Sequence, residues 1–255
     1  MKLQFLRFET EIALSGDAVS TLQVEDRLLF SRMVQSLVSE QGEQACEPYR
    51  LWDDTDKKVN PRKALLVIDS LPGLPLDDRG MLGKLYAQIE NSINDEVEFE
   101  GDLANASARL QQLFRALNAE MWGRYEFGVD WSPALFLKSF GFQPMQEEGD
   151  ALLENCIRFF ELCVDIGFDK PLVIVNAKSF FAQNDLEELF SQAIFHGIAL
   201  MVMESWQDSR ILKNEQKIVI DQHFVESTVA QDQLDDHLLQ QDFAPSALEQ
   251  RHSDW

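Results

Sequence analysis

Two carboxylates in this 255-residue chain close apolar runs: Asp69 follows Leu65-Leu66-Val67-Ile68, and Glu204 follows Leu200-Met201-Val202-Met203. Open α/β sheets bind ligands at the carboxyl ends of their strands, and two carboxylates at that edge can hold magnesium. The chemistry on offer is that of a degenerate P-loop-type enzyme dependent on a nucleotide or a metal. Such an enzyme needs a phosphate cradle. GxxxxGK[ST] supplies one between a strand and a helix, because its backbone amides wrap the phosphate and its Lys reaches it. The residues at the corresponding place here are Val24-Glu25-Asp26-Arg27-Leu28. Two carboxylates and no glycine stand where a phosphate would sit, and no GxSxG, HExxH or GxGxxG pattern occurs elsewhere. The four histidines, His196, His223, His237 and His252, come late in the chain, and His196 precedes a Gly at a helix end.

The densest basic stretch is Lys57-Lys58-Val59-Asn60-Pro61-Arg62-Lys63, just after Asp53, Asp54 and Asp56. Two readings stand side by side: a solvated loop whose cations offset the three aspartates, or a loop that contacts phosphates. Charge balance bears on both. The chain carries 22 basic and 44 acidic residues, a net charge of −22. It repels polyanions and anionic membranes at long range, so nucleic-acid binding requires a segregated basic face, a cation, or both. Cys46, Cys156 and Cys163 are too few and too scattered for a disulfide framework or a metal knuckle and read as buried thiols. The N-terminus has charges within its apolar stretch, and Ile198–Met203 is too short to span a bilayer, so a cytoplasmic protein with no membrane partner is expected.

A 45% apolar content with 18 Phe and five Trp argues for a folded chain. Ala64–Ser70, ended by Leu-Pro-Gly, reads as the central buried strand of a parallel sheet. Leu3–Phe8, Glu11–Leu14 and Val19–Val24 read as an N-terminal hairpin entering that sheet. Asp26 is placed to cap a helix with an apolar stripe through Leu29, Met33 and Leu37. After the Pro-Gly turn come a helix capped by Asp77 or Asp78, a second over Leu103–Met121, a third opened by Ser132-Pro133, and a fourth over about 150–164. Only at Leu172–Val175 does a strand return. A crossover between parallel strands needs far less chain, so the helices form an insertion standing out from the α/β body. A helix capped near Asn184 or Asp185, a strand at 199–203 and an edge strand at Lys217–Ile220 complete the body. The chain beyond Glu226 is acidic and loses its pattern.

Several segments recur together in one known family. They are Met1–Leu14, Val24-Glu25-Asp26, Phe30–Gln35, Leu65–Gly73, Leu82–Asp95, Lys138-Ser139-Phe140-Gly141, Lys170–Asn176 and 199–205. In this order and spacing they resemble the ring-forming, DNA-end-binding adaptation protein of type II-A CRISPR systems. The resemblance implies an α/β, P-loop-like parallel-sheet head without a functional P-loop, built from 1–95 and 165–225. It further implies a protruding helical leg insertion at 96–164, with 226–255 left as an acidic tail. It implies a homotetrameric ring with no catalytic activity of its own. That ring binds the ends of linear double-stranded DNA without sequence preference during spacer acquisition, alongside the CRISPR integrase proteins and the RNA-guided effector nuclease. Phosphate contacts would come from Lys57, Lys58, Arg62, Lys63 and Lys138. Calcium, which sets the ring's shape in the family, would fall to Glu120, Glu126 and Asp130. Arg124 interrupts that acidic cluster here and Leu135 replaces a further acidic position, so the cluster is thinner than the family's. A ring also accommodates the charge: an acidic protein holds a duplex when its few cations converge on the lumen and repeat from subunit to subunit.

Overall fold

The computed structural model describes residues 1–95, 97–127, 132–145, 152–206, 208 and 210–229. It divides into two compact units, one of residues 1–73 with 169–255 and one of 74–168.

The first unit holds two sheets. β1 (Lys2–Phe5), β2 (Ile12–Ala13) and β4 (Tyr49–Trp52) form a small antiparallel sheet in the order β2-β1-β4. The main sheet contains β3 (Val19–Val24), β5 (Leu66–Ile68), β6 (Leu172–Val175), β7 (Leu200–Glu204), β8 (Glu215–Ile220) and β9 (Glu226–Val229). Its order is β5-β6-β7-β3-β8-β9, parallel throughout except for β9. Side chains alternate faces along each strand. One face presents Leu22, Val24, Val173, Val175, Met201, Met203, Ile218 and Ile220 to a core completed by helix α1 (Arg27–Ser39) and the small sheet. Asp26 caps α1, its carboxylate accepting from the Leu29 N–H at 2.7 Å. Helix α6 (Gln183–Phe195) buries Leu186, Leu189, Phe190 and Ala193.

The sheet departs from the sequence expectations at several elements. The Ala64–Ser70 run is an edge strand; β7 and β3 are central. Its apolar character reports cover on its faces, which an edge strand can have as readily as a central one. The N-terminal segments do not enter the main sheet as a hairpin, because β1 pairs with β2 and β4 while β3 alone joins the parallel strands. Strand β8 is not an edge: β9 covers it, so the ordered chain runs on past Glu226. The Glu226 carboxylate accepts the backbone N–H groups of Glu9 and Thr10 at 2.8 Å each. Helix α6 begins at Gln183, with Ala182 at its N-cap making no side-chain cap bond, rather than at a cap near Asn184 or Asp185.

The second unit contains α2 (Arg79–Asp95), α3 (Val97–Ala119), α4 (Pro133–Ser139) and α5 (Leu152–Asp165). Asp78 caps α2 through the N–H groups of Gly80 and Met81, and Ser132 caps α4 with Pro133 in its first turn. The unit starts at Leu74, before the 96–164 span expected for the insertion. Helix α2 packs on the other helices, and the Tyr86 hydroxyl donates to the Phe142 carbonyl at 2.7 Å. Helix α5 buries Cys156, Phe159, Phe160, Leu162 and Cys163. Along α3 the reverse holds: Leu110, Leu113, Phe114 and Leu117, spaced three and four apart on one face, are exposed, and so are Met121 and Trp122 beyond its end.

Candidate functional site

The end of β3 and the start of α1 are where a phosphate would meet helix amides. Here that place is filled by the chain itself. Asp26 takes the Leu29 N–H, and Glu25 accepts the Gln222 N–H at 3.0 Å. A negative side chain already meets the positive end of the helix, and a phosphate brought to it would face both carboxylates.

The two carboxylates of the enzyme reading are not brought together. Asp69 lies exposed past β5, while Glu204 is fully buried at the end of β7 with β6 between them. Two interstrand spacings separate their strands by about 10 Å. Glu204 accepts the backbone N–H of Lys178 at 2.8 Å through Oε1, while Oε2 has no hydrogen-bond partner among the described residues. Burial pushes its carboxyl up to about 7, against the opposing pull of that N–H and of the Lys178 ammonium.

Around Glu204 lies a buried polar network that sequence reasoning missed. The Lys178 ammonium donates to Asp208 at 2.9 Å and to Glu215 at 3.2 Å. Lys217, almost fully buried, donates to Asp208 at 2.6 Å and to the Arg210 carbonyl. Gln23 and Asp208 exchange hydrogen bonds at 3.3 Å, and Glu215 accepts the Leu212 N–H at 2.7 Å. Burial raises the Asp208 carboxyl, but the bonds from Lys217 and Lys178 outweigh it and hold the group below its usual range. A sequence signal existed. In Glu215-Gln216-Lys217-Ile218-Val219-Ile220, a period-two reading puts Glu215, Lys217 and Val219 on one face, and a central strand can bury that face only if its charges are paired.

The basic loop is built from Asp53, whose carboxylate accepts the Thr55 hydroxyl and the N–H groups of Thr55 and Lys57, turning the chain so that Trp52 bridges Lys58. Among the described residues, Asp53 alone of the three aspartates offsets a cation of the loop, its carboxylate attracting Lys57. Asp53 is used in the turn, Asp54 pairs with the N-terminal ammonium at 2.5 Å, and Asp56 pairs with Lys2 at 3.2 Å. Glu43 offsets another: it holds Lys58 together with Arg50, and hydrogen bonds from Arg50 and Lys58 lower its carboxyl to about 2. Lys57, Arg62 and Lys63 are exposed, and among the described residues no carboxylate lies within ion-pair distance of them.

The remaining candidates lie in the second unit. Lys138 is exposed in the last turn of α4. Glu120 and Glu126 are exposed, and Asp130 lies outside the described residues. Among the described residues no group of three or more His, Cys, Asp or Glu could hold a metal ion. The Asn118 amide closes the intervening loop on the backbone of Tyr125 at 2.5 and 3.2 Å. Of the cysteines, Cys156 and Cys163 are buried, with burial pushing both thiols up to about 12; Cys46 is exposed rather than buried. No helix among the described residues is long and apolar enough to cross a membrane.

Comparisons with known proteins converge on one family. The profile described as CRISPR-associated protein (Cas_Csn2) matches residues 44–224. A protein named CRISPR-associated protein Csn2, from Enterococcus faecalis, is 20% identical over 226 residues, which cover 88% of this chain and 97% of that protein. The crystal structure of Stu0660 of Streptococcus thermophilus matches 97% of this chain and 81% of its own, with a TM-score of 0.60 at 13% identity, a likeness of fold.

Proposed function

The chain belongs to the Cas_Csn2 family of CRISPR-associated proteins, and from that premise we propose that it is a non-catalytic clamp. In this reading a homotetrameric ring binds the ends of linear double-stranded DNA without sequence preference during type II-A spacer acquisition. It works in the cytoplasm beside the integrase proteins and the effector nuclease.

The observation that carries the proposal is the exposed basic loop. In a chain of net charge −22, Lys57, Arg62 and Lys63 stand exposed with no carboxylate within ion-pair distance among the described residues, and Asp54 and Asp56 are engaged elsewhere. Exposed cations outside any ion pair among the described residues suit a polyanion in so acidic a protein, and repetition around a ring multiplies their number. Binding through phosphates alone gives no sequence preference. The carboxylates at the β3–α1 junction and the separation of Asp69 from Glu204 argue against nucleotide hydrolysis. The exposed apolar stripe of α3 suits self-association, since such a patch on a soluble protein marks an interaction surface. Lys138 is proposed as a further phosphate contact. Calcium is proposed only as a ligand of Glu120, Glu126 and Asp130, and no step depends on it.

Anisotropy of a labelled linear duplex, titrated at several salt concentrations, tests the reading. Affinity should fall steeply with salt, and Lys57→Glu with Lys58→Glu should abolish binding while sedimentation velocity still reports a tetramer. A monomer, or affinity unchanged in the double variant, contradicts it.

A further inference from the structure

The buried network around Glu204 has an uneven count of charges. Two cations, Lys178 and Lys217, face three carboxyls: Glu204, Asp208 and Glu215. The cations are already committed. Lys217 is bound to Asp208 and the Arg210 carbonyl and lies 3.8 Å from Glu215, while Lys178 bridges Asp208 and Glu215. Glu204 receives one backbone N–H and no ammonium, and its second oxygen is buried without a partner among the described residues. A protonated Glu204 brings the five groups to neutrality. An ionised one leaves a surplus negative charge at a buried site, which is costly until a cation is found.

One of these cations, which attracts the Glu204 carboxylate, sits on the residue that already touches it. Lys178 gives its backbone N–H to Glu204 and its ammonium to Asp208 and Glu215. Asp208 in turn joins the β7–β8 connection to β3 through Gln23, to β8 through Lys217, and to the Ala177–Ser179 turn through Lys178. That connection also carries Trp206, half-exposed, and Arg210, whose guanidinium donates to Gln183 of α6 at 3.0 Å. With Lys178, Phe181 and Leu212 these residues line a cavity of about 500 Å³.

We propose that Glu204 is a proton-controlled latch on the connection between β7 and β8. As a neutral acid it leaves Lys178 to Asp208 and Glu215, and the connection is pinned to the sheet. As a carboxylate it draws the Lys178 ammonium to itself, Asp208 loses one of its two ammonium partners, and the connection around Trp206 and Arg210 is released. The charged groups facing Glu204 are Lys178 from the turn after β6, Asp208 from the connection itself and Glu215 from β8, with Lys217 behind them. Burial of Glu204 places the changeover near neutral pH. The latch is independent of DNA binding.

Amide hydrogen exchange on the full-length chain at pH 6 and pH 8, corrected for the intrinsic rate, tests it. One pH unit above a group's midpoint its ionised form exceeds the neutral form about tenfold. Peptides spanning the β7–β8 connection should therefore open about tenfold more readily at pH 8, while those of α1 keep their protection. Glu204→Gln, isosteric and permanently neutral, should remove the pH dependence. Trp206 fluorescence should follow the same single transition in the wild type and lose it in Glu204→Gln, with Trp206→Phe identifying the signal. Equal protection of the connection at both pH values overturns the latch, as does a rise shared by α1 or a transition that persists in Glu204→Gln. The wild-type exchange comparison decides even if the variant does not fold.

Discussion

The two compact units spend their side chains in opposite ways. The α/β unit turns charge inward: Lys178 and Lys217 are almost fully buried among Asp208, Glu215 and Glu204, and Asp26 closes the start of its own helix. The helical unit turns apolar surface outward, with Leu113, Phe114, Leu117, Met121 and Trp122 exposed around α3. A buried ion pair adds little net stability but fixes a geometry, whereas an exposed apolar stripe adds nothing until something covers it. The contrast matches a structural role for the first unit's charges and the association proposed for the second unit's stripe.

The largest expected effect probes the inward charges. Lys217→Ala leaves Asp208 and Glu215 sharing the single ammonium of Lys178 and should cost about 3–5 kcal/mol by urea denaturation. Phe114→Ser, on the outward stripe, should stay within about 0.5 kcal/mol for the dissociated chain while lowering its sedimentation coefficient at working concentration. A large loss in Phe114→Ser with an intact oligomer would reverse the assignment.

Next comes pH. Burial raises the folded Glu204 carboxyl to about 7, so the folded state holds that proton more tightly than the unfolded chain. Its stabilising contribution is complete below the ordinary carboxylate range and is lost as pH rises to about 7. Over that window the loss is on the order of 3 kcal/mol at 1.36 kcal/mol per pKa unit. Asp208 and Glu226, whose carboxyls are held below their usual range, act with the opposite sign. The difference between wild type and Glu204→Gln in thermal melts from pH 4.5 to 8 isolates the first effect. A difference independent of pH would show that Glu204 stays ionised in the fold.

A smaller effect is expected at the helix cap. Asp26→Ala should cost about 1 kcal/mol, read from the denaturation midpoint. Smallest for stability is Glu43→Gln, which frees Arg50 and Lys58 and should leave the melting temperature unmoved. It should instead tighten binding to linear duplex and steepen its salt dependence. Weaker binding would place that face away from the DNA.

Much of the fold was legible from local signals. Asp26 and Ser132-Pro133 announced helices α1 and α4, Leu172–Val175 was a strand by composition, and the long helical stretch separating two parallel neighbours, β5 and β6, pointed to the insertion. Sheet order was not legible. The Ala64–Ser70 run has the composition of a central strand yet lies at the edge, while Lys217–Ile220, read as an edge strand, lies in β8 between β3 and β9. Composition reports what touches a strand's faces and not how many neighbours it has, and a buried Lys can be read only once its partners on other segments are known. The same limit hid the candidate site. Asp53, Asp54 and Asp56 looked like partners for the basic loop, but the N-terminus and Lys2 claim Asp54 and Asp56, Asp53 alone keeps its hold on Lys57, and Glu43 reaches Lys58 from the far side of β4.

The central claim is that this chain closes around DNA through an end. A gel-shift competition between matched linear and covalently closed duplexes at two salt concentrations, with and without calcium, tests it most directly. The account predicts a shift with the linear duplex that weakens at the higher salt and that closed circles fail to compete away. Equal competition by closed circles, or no shift in any condition, would contradict it.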